Sequence, residues 1–223
     1  MYDIKTEEYR HFSFDLWLTI IKSNPQYKSR RNRLLKDYFS ISQSLDSVDK
    51  VVRYYDLLCN EISEKTGRHF HFLEIILLIL RKLKGRIDNI EQESIFLFYE
   101  ETDRLLMDLK PELMNPDIYS LLEKIRRDGK TMSIASNTAF IQGKSLRKVL
   151  NFYGLSDLFS FQIYSDEIGF SKPSSFFFDA IFENIKKIDE SLTKKEVVHI
   201  GDNFIADHKG ARLYGFNSIL IKK

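Results

Sequence analysis

The sequence predicts an α/β fold, in which a parallel sheet is flanked by helices and a helical block is inserted after the first strand. From about residue 117 onward, short apolar runs of β character alternate with helical segments, which is the pattern of βαβ units. A similar apolar run, Phe12–Phe14, stands near the N-terminus. Residues 46–110, between these two parts, show only helical periodicity. The first strand therefore belongs with the later ones.

The predicted elements of the sheet follow in a regular order, with helix stops at glycines such as Gly129 and Gly154. The predicted strands are Phe12–Phe14, Thr131–Ala135, Phe161–Tyr164, Val197–Ile200 and Ser218–Ile221. The predicted helices between them are Asp117–Arg127, Lys144–Tyr153, Ser175–Lys187 and Ala206–Tyr214.

Residues 23–112 are predicted to form an α-helical bundle, inserted into a core built from residues 1–22 and 113–223. Apolar side chains recur there at three- and four-residue spacing, and one run is apolar on most sides, as the centre of a bundle would be. A bundle inserted at this point would lie over the ligand crevice as a lid. Its helices are expected around Val51–Ile62, Phe72–Leu83 and Glu91–Leu109.

Two groups of residues in this block have both a structural and a functional interpretation. The basic segment Lys28–Arg33 fits the solvated face of a helix, and it also fits a positive rim that attracts an anionic substrate. His69 and His71 flank a helix start without other ligands at metal-site spacing, so we interpret them as structural.

Composition narrows the class of protein. The 34 basic and 32 acidic residues nearly cancel, so no global field indicates a nucleic-acid or membrane partner. The one cysteine, Cys59, excludes an internal disulfide framework, and its helical surroundings predict a buried structural thiol. The N-terminal stretch Met1–Glu8 is too charged for a signal peptide, and the apolar run Ile75–Leu80 is too short to span a bilayer. We therefore expect a cytoplasmic protein.

Acidic side chains follow two of the predicted strands. Asp15 comes directly after the first, where residues face the ligand crevice of an open α/β sheet. Asp202 follows Gly201 at the end of the fourth, and Asp207 lies one helical turn further on. Each could be a helix cap, but carboxylates held together at strand ends repel one another unless a cation lies among them. Oxygen ligands favour magnesium as that cation.

The other strand ends carry groups that suit an anionic ligand. Ser136 and Asn137 follow the second strand, where they could cap a helix and also bind phosphate at its N-terminus. Lys172 precedes a proline after the third strand, so it is presented from an extended loop. Taken alone, such a lysine would usually be solvated surface.

In this order the strand-end residues resemble the four motifs of the haloacid dehalogenase superfamily. The resemblance covers about residues 8–22 and 113–223, and the helical block resembles the α-helical cap of that family. It implies a Rossmann-like core and a phosphatase acting on a small phosphorylated substrate. The matching residues are Asp15 with Thr19, Ser136-Asn137, Lys172-Pro173, and Gly201-Asp202 with Asp207.

The resemblance also implies a role for each residue. Asp15 would be the nucleophile that forms a covalent aspartyl-phosphate, with Lys172 offsetting the repulsion between two anions. Ser136, Asn137 and Thr19 would bind the substrate. The ligands of Mg²⁺ would be the Asp15 carboxylate, the backbone carbonyl of Trp17 and Asp202, with Asp207 in support.

Trp17 departs from the family pattern, in which phosphatases carry a second aspartate two residues after the nucleophile. An indole donates a hydrogen bond but cannot transfer a proton near neutral pH, and general acid–base catalysis is worth about 10²–10⁴-fold. We therefore expect a slow phosphatase, or one that uses another proton donor.

Two alternatives remain. The haloacid dehalogenases of the family carry an aromatic residue at that position, but they work without metal and lack the Gly-Asp pair present here. A protein that binds a phosphorylated ligand without turning it over is the other alternative.

Overall fold

The computed structural model describes residues 6–221, so residues 1–5 of the charged N-terminal stretch, and residues 222 and 223, lie outside the described range. The strands are β1 His11–Phe14, β2 Ile21–Lys22, β3 Glu112–Leu113, β4 Thr131–Ser136, β5 Phe161–Tyr164, β6 Val197–Gly201 and β7 Asn217–Leu220. The α-helices are α1 Tyr27–Tyr38, α2 Leu45–Thr66, α3 Phe72–Lys84, α4 Gln92–Asp108, α5 Ile118–Arg127, α6 Gly143–Phe152, α7 Ser165–Ile168, α8 Ser175–Ile188 and α9 Gly210–Tyr214.

The main sheet is parallel and has the strand order β5-β4-β1-β6-β7. Strand β1 lies in its centre, where Phe14 is in register with Ile134 on one side and with Ile200 on the other. Because the strands are parallel, their carboxyl ends meet at one edge of the sheet. The residues that follow β1, β4 and β6 are therefore neighbours in space, and the predicted α/β fold class is confirmed.

Both faces of the sheet are covered by apolar helix residues. Phe12 and Phe14 of β1 pack in one buried cluster with side chains of α5 and α6, such as Leu122 and Leu146. Strand residues that point to the other face pack in a second cluster with Phe178 of α8. On β1 itself the residues alternate: Phe12 and Phe14 join the first cluster, whereas His11 and Ser13 are buried on the other face and hydrogen-bond to Ser133 and His199.

Helices α1–α4 form the helical block and share a hydrophobic core of their own. The amide N–H of Ser47 donates to the Ser44 side chain at the start of α2, and Gly67 ends that helix in the left-handed conformation. Cys59 is buried in this core, as predicted. Within residues 6–221, no helix combines the length and apolar character needed to cross a membrane.

Strands β2 and β3 form an antiparallel ribbon where the chain leaves the core for the helical block and returns to it. The predicted boundaries, between residues 22 and 23 and between 112 and 113, fall at this ribbon. The division into a discontinuous core and an inserted bundle remains a prediction.

The helix predicted for residues 206–214 has a different geometry in its first half. Phe204–Lys209 is a π-helical segment, and only Gly210–Tyr214 is α-helical. The side-chain oxygen of Asn203 accepts hydrogen bonds from the N–H groups of Ile205 and Ala206, which fixes the start of the segment. Single π turns of this kind are frequent at functional sites.

Candidate active site

Three carboxylates meet at the carboxyl edge of the sheet. Asp15 follows β1, Asp202 follows β6, and Asp207 lies in the π-helical segment. One oxygen from each lies within 4.8 Å of the others. We call these three residues the carboxylate cluster. Parallel pairing of β1 with β6 brings them together although up to 192 residues separate them in the chain (207 − 15).

Lys172 supplies a buried positive charge to this cluster. Its ammonium group donates to Asp15 Oδ1 at 2.8 Å and to the Ala135 carbonyl at 2.6 Å. The same Nζ atom lies 2.7 Å from Asp207 Oδ1. Only 1% of the side chain is exposed, so Lys172 is a structural part of the site and not solvated surface.

Residues after β4 hold Lys172 and Asp15 in place. The Asn137 side chain accepts from the Lys172 N–H at 2.8 Å and donates to its carbonyl at 3.0 Å, which fixes the backbone of the lysine. Ser136 Oγ donates to Asp15 Oδ1 at 3.2 Å. Both residues were predicted to bind substrate. That role remains a prediction, and in the structure each of them positions a predicted catalytic residue.

Asp207 is oriented by two further contacts. The backbone N–H of Asn203 donates to its Oδ2 at 2.9 Å, and His199 Nε2 lies 3.2 Å from its Oδ1. A Cβ atom added to Gly201 would lie 2.2 Å from Asp207 Oδ2. The glycine is therefore required because the carboxylate occupies the space of a side chain.

Burial and neighbouring charges shift the pKa values of the two buried carboxyl groups, Asp15 and Asp207, in opposite directions. Burial raises the pKa of Asp15 to about 7, with the Asp207 and Asp202 charges adding to the rise and Lys172 opposing it. Burial also disfavours the ionised form of Asp207, but Lys172 and His199 outweigh it and hold the pKa of Asp207 below its usual range. Burial opposes the charge of Lys172, yet the two carboxylates raise its pKa. The lysine and Asp207 thus form a buried ion pair beside a carboxyl group that a further cation would ionise.

The cluster fits a hard divalent cation. Its ligand atoms are carboxylate oxygens, and they converge from two loops onto one region at the sheet edge. Asp202 is less buried than Asp15 and Asp207, so the cluster faces the cavity described next.

A cavity of about 810 Å³ lies between the core and the helical block. Trp17, Asn137 and Asp202 line it from the core side. Helices α1 and α2 line it with charged side chains, which include Lys28, Arg31, Asp56, Glu61 and Glu64.

The two remaining predicted site residues, Trp17 and Thr19, differ in their exposure to the cavity. Trp17 is half-buried, packs against the core beside β1, and lines the cavity. Thr19 is 1% exposed and is not among the residues that line the cavity. The role of Thr19 in substrate binding and that of the Trp17 carbonyl in metal binding remain predictions.

Sequence reasoning gave no role to two residues of the site region, His199 and Asn203. His199 was assigned only to a strand, although it precedes Gly201 by two residues and so shares its side of β6. Asn203 donates from its Nδ2 to Glu64 Oε1 at 3.1 Å, which joins the π-helical segment to α2. Only the position of His199 gave a signal, because the partner of Asn203 lies on a distant helix.

A family model for haloacid dehalogenase-like hydrolases matches residues 9–215. The chain therefore belongs to the haloacid dehalogenase-like hydrolases, and the predicted family is confirmed. An uncharacterised hydrolase of Schizosaccharomyces pombe is 30% identical over 107 residues, which are 47% of this chain and 45% of that protein. The match thus spans less than half of that relative's length.

Solved structures share the fold over most of the chain. The magnesium-bound hydrolase YfnB of Bacillus subtilis has a TM-score of 0.66 at 20% identity, covering 96% of this chain and 87% of its own. CbbY of Rhodobacter sphaeroides in complex with phosphate has a TM-score of 0.68 at 17% identity, with coverages of 96% and 87%. For L-2-haloacid dehalogenase of Xanthobacter autotrophicus the TM-score is 0.57 at 17% identity, with coverages of 96% and 77%.

Proposed function

We propose that this hydrolase is a magnesium-dependent phosphatase of small phosphorylated metabolites that works through a covalent intermediate on Asp15. The observation that carries the proposal is the position of Asp15, within the carboxylate cluster and in contact with Lys172 and Ser136. Phosphoryl transfer depends mainly on positioning and charge neutralisation, which such a site supplies. The phosphate-bound and magnesium-bound relatives of the same fold agree with it.

In the first step a carboxylate oxygen of Asp15 forms a bond to phosphorus, and the bond between phosphorus and the leaving oxygen breaks. Lys172 and Ser136 stabilise the phosphoryl oxygens, and Lys172 reduces the repulsion between nucleophile and substrate. In the second step water attacks phosphorus, and phosphate leaves as the Asp15 carboxylate is regenerated.

The cation site belongs to the same proposal. Asp15, Asp202 and the Trp17 carbonyl would hold magnesium, with Asp207 in support through water or a hydrogen bond. The bound ion supplies charge neutralisation at the transferred phosphoryl group.

Trp17 sets the expected rate. Its indole cannot protonate the leaving oxygen or deprotonate the water, so both steps lack the usual acid–base residue. We expect slow turnover overall and a strong preference for substrates with good leaving groups, which need little protonation.

The test is a screen of phosphate esters with and without magnesium, run on the native protein and on Asp15→Asn. Quenching after incubation with acetyl phosphate and magnesium should trap a phosphoryl group on Asp15, detected by mass spectrometry. Asp15→Asn keeps the shape of the side chain and should abolish both the trapped species and turnover. Turnover that persists in Asp15→Asn would remove Asp15 as the nucleophile. Magnesium-dependent binding without any turnover would instead identify a binding protein.

A dehalogenase is the second candidate because an aromatic residue, Trp17, follows the nucleophile at the expected position. The same screen therefore includes 2-haloacids. Halide release that is insensitive to chelator would favour this function over the phosphatase.

A further inference from the structure

Arg31 is a buried cation on the wall of the cavity. It lies on α1, is 7% exposed, and its guanidinium group stacks 4.0 Å from the centre of the Phe140 ring of the core. Its Nε and Nη2 atoms both donate to Asn32 Oδ1, at 3.1 and 2.9 Å. Within residues 6–221 no carboxylate oxygen lies within 4.0 Å of the guanidinium, and its hydrogen bonds involve Nε and Nη2 but not Nη1. Arg31 thus meets the cavity with donor capacity that the fold does not use.

Asp49 and Asp56 act on the charge of this guanidinium through space, but their own hydrogen bonds and ion pairs are with other residues. Asp49 accepts a hydrogen bond from Asn32 Nδ2 at 2.8 Å, so it contacts Arg31 only through the asparagine. Asp56 lies 3.8 Å from Arg53 and accepts from Asn60 at 3.4 Å. A guanidinium cannot neutralise itself by losing a proton, and an incompletely paired buried charge is unfavourable. An anion in the cavity would remove that penalty.

The other cations of the basic segment divide by position. Lys28 lies one turn before Arg31 on α1 and also lines the cavity. Arg30 and Arg33 are exposed and do not line it. The segment is therefore not uniformly solvated. One side of the helix directs two cations at the cavity, and the remaining cations serve as natural controls.

From this arrangement we infer that the substrate carries a second anionic group, a carboxylate or a second phosphate, which Arg31 binds with the help of Lys28. The inference rests on the proposed function, because Lys172 and Ser136 at the sheet edge are then occupied by the transferred phosphoryl group. Arg31 lies on the helical block and not in the carboxylate cluster, so it addresses another part of the same molecule. The planar guanidinium suits either oxyanion through two parallel hydrogen bonds.

The first experiment needs only the native protein. It measures kcat/KM for three series of esters with two to six carbons. The first series is alkyl monophosphates, and in the other two the far end of the chain carries a carboxylate or a second phosphate. We expect at least one doubly anionic series to be preferred by about 10- to 100-fold, the range for hydrogen bonds between charged groups. The preferred series shows whether the group is a carboxylate or a phosphate. No preference at any chain length would overturn the inference.

The second experiment locates the effect. Arg31→Met should reduce the preference to about threefold or less, whereas Arg31→Lys, which keeps the charge but not the planar fork, should retain an intermediate part of it. Arg33→Met, on the exposed side of the same helix, should leave the preference intact. Circular dichroism checks that the variants fold. If Arg31→Met does not fold, the comparison of Arg31→Lys with the native protein still shows whether the preference depends on Arg31.

Calorimetric binding of the preferred compound to Asp15→Asn separates this inference from the proposed function. Binding that weakens about tenfold or more when Arg31→Met is added supports the inference even if no ester is hydrolysed. Hydrolysis with equal kcat/KM for alkyl monophosphates and for esters that carry a second anionic group would support the phosphatase and refute the role of Arg31.

Discussion

Trp17 makes the proposed mechanism testable at the level of one side chain. Trp17→Asp would place a carboxyl group two residues after Asp15, so we expect kcat/KM for an alkyl phosphate to rise by about 10²-fold, within the usual contribution of acid–base catalysis. For p-nitrophenyl phosphate, whose leaving group needs no proton, the gain should be much smaller. Trp17→Asn is the matched control, since it removes the same indole without adding a proton donor. Equal kcat/KM values for Trp17→Asp and Trp17→Asn would contradict the assignment of position 17 to the missing acid–base residue.

His11, which lies in β1, should make the stability of the protein depend on pH. Its ring is fully buried in β1, with Nδ1 2.8 Å from Thr131 Oγ1 and Nε2 2.9 Å from Ser133 Oγ. Burial lowers the pKa of His11 from 6.5 to about 3. Below pH 6.5 the unfolded chain therefore binds a proton that the folded protein excludes. Stability is fully present above that pH and falls as the pH drops toward 3.

The measurement is urea unfolding of the native protein and of His11→Gln between pH 8 and 5. The contribution of His11 should decline by about 1.4 kcal/mol for each pH unit below 6.5, and the variant should lose this part of the slope. Parallel stability profiles for the two proteins would show that His11 is not held neutral.

Residue roles could be predicted from the sequence where they depend on strand ends. Two of these residues, Asp15 and Asp202, directly follow strands, and Lys172 lies in the loop region after β5. Parallel pairing of the strands alone brings such positions together. Arg31 could not be predicted in the same way, because it packs against Phe140, which is 109 residues away in the chain (140 − 31). A run of basic residues carries no signal that one member is buried.

At the scale of elements, the turn after α2 ties the helical block to the loop that carries Lys172. Gly67 O accepts from the Ser171 N–H at 2.9 Å, and the His69 N–H donates to the Gly169 carbonyl at 3.1 Å. Gly67 adopts a φ of +71°, and a Cβ atom there would lie 2.7 Å from Ser174 Cβ. The glycine permits both the helix end and the close approach of the two segments.

Gly67→Ala should therefore destabilise the protein and disturb Lys172. Gly129→Ala is the control, because its φ is +73° but an added Cβ would contact nothing within 4 Å. We expect the control to lose about 1–2 kcal/mol, the cost of a left-handed alanine. Gly67→Ala should lose more in urea unfolding, and only this variant should also lower kcat. Equal losses in the two variants would mean that the contact with Ser174 is relieved easily.

Prediction of the elements failed where backbone geometry depends on tertiary contacts. The helix at the C-terminal end of the core was predicted as a regular α-helix because its residues give no sign of a π turn. In the structure Asn203 and Asp207 bond to backbone N–H groups at its start, and Asp207 also contacts Lys172 and His199. The geometry follows from the site that the segment serves, which local propensity does not encode.

Over the whole molecule, alternation of strands and helices predicted a parallel sheet but not its strand order. Alternation alone does not require β1 to lie between β4 and β6, and this order is what makes Asp15 the centre of the site. To build the site, the chain returns to that edge three times, at the ends of β4, β5 and β6. The site thus depends on long-range pairing rather than on any single segment.

A cation bound by the carboxylate cluster would therefore link segments from both ends of the chain. We expect magnesium to raise the thermal unfolding temperature of the native protein relative to chelator, because a ligand that binds only the folded state stabilises it by about 2.7 kcal/mol at 100-fold its Kd. Asp202→Asn should abolish this shift while leaving the Lys172 contacts with Asp15 and Asp207 in place. Asp207→Asn would be a poor control, since that carboxylate also holds Lys172 and His199. An equal magnesium shift in the native protein and in Asp202→Asn would place the cation outside the cluster and withdraw the basis for the proposed chemistry.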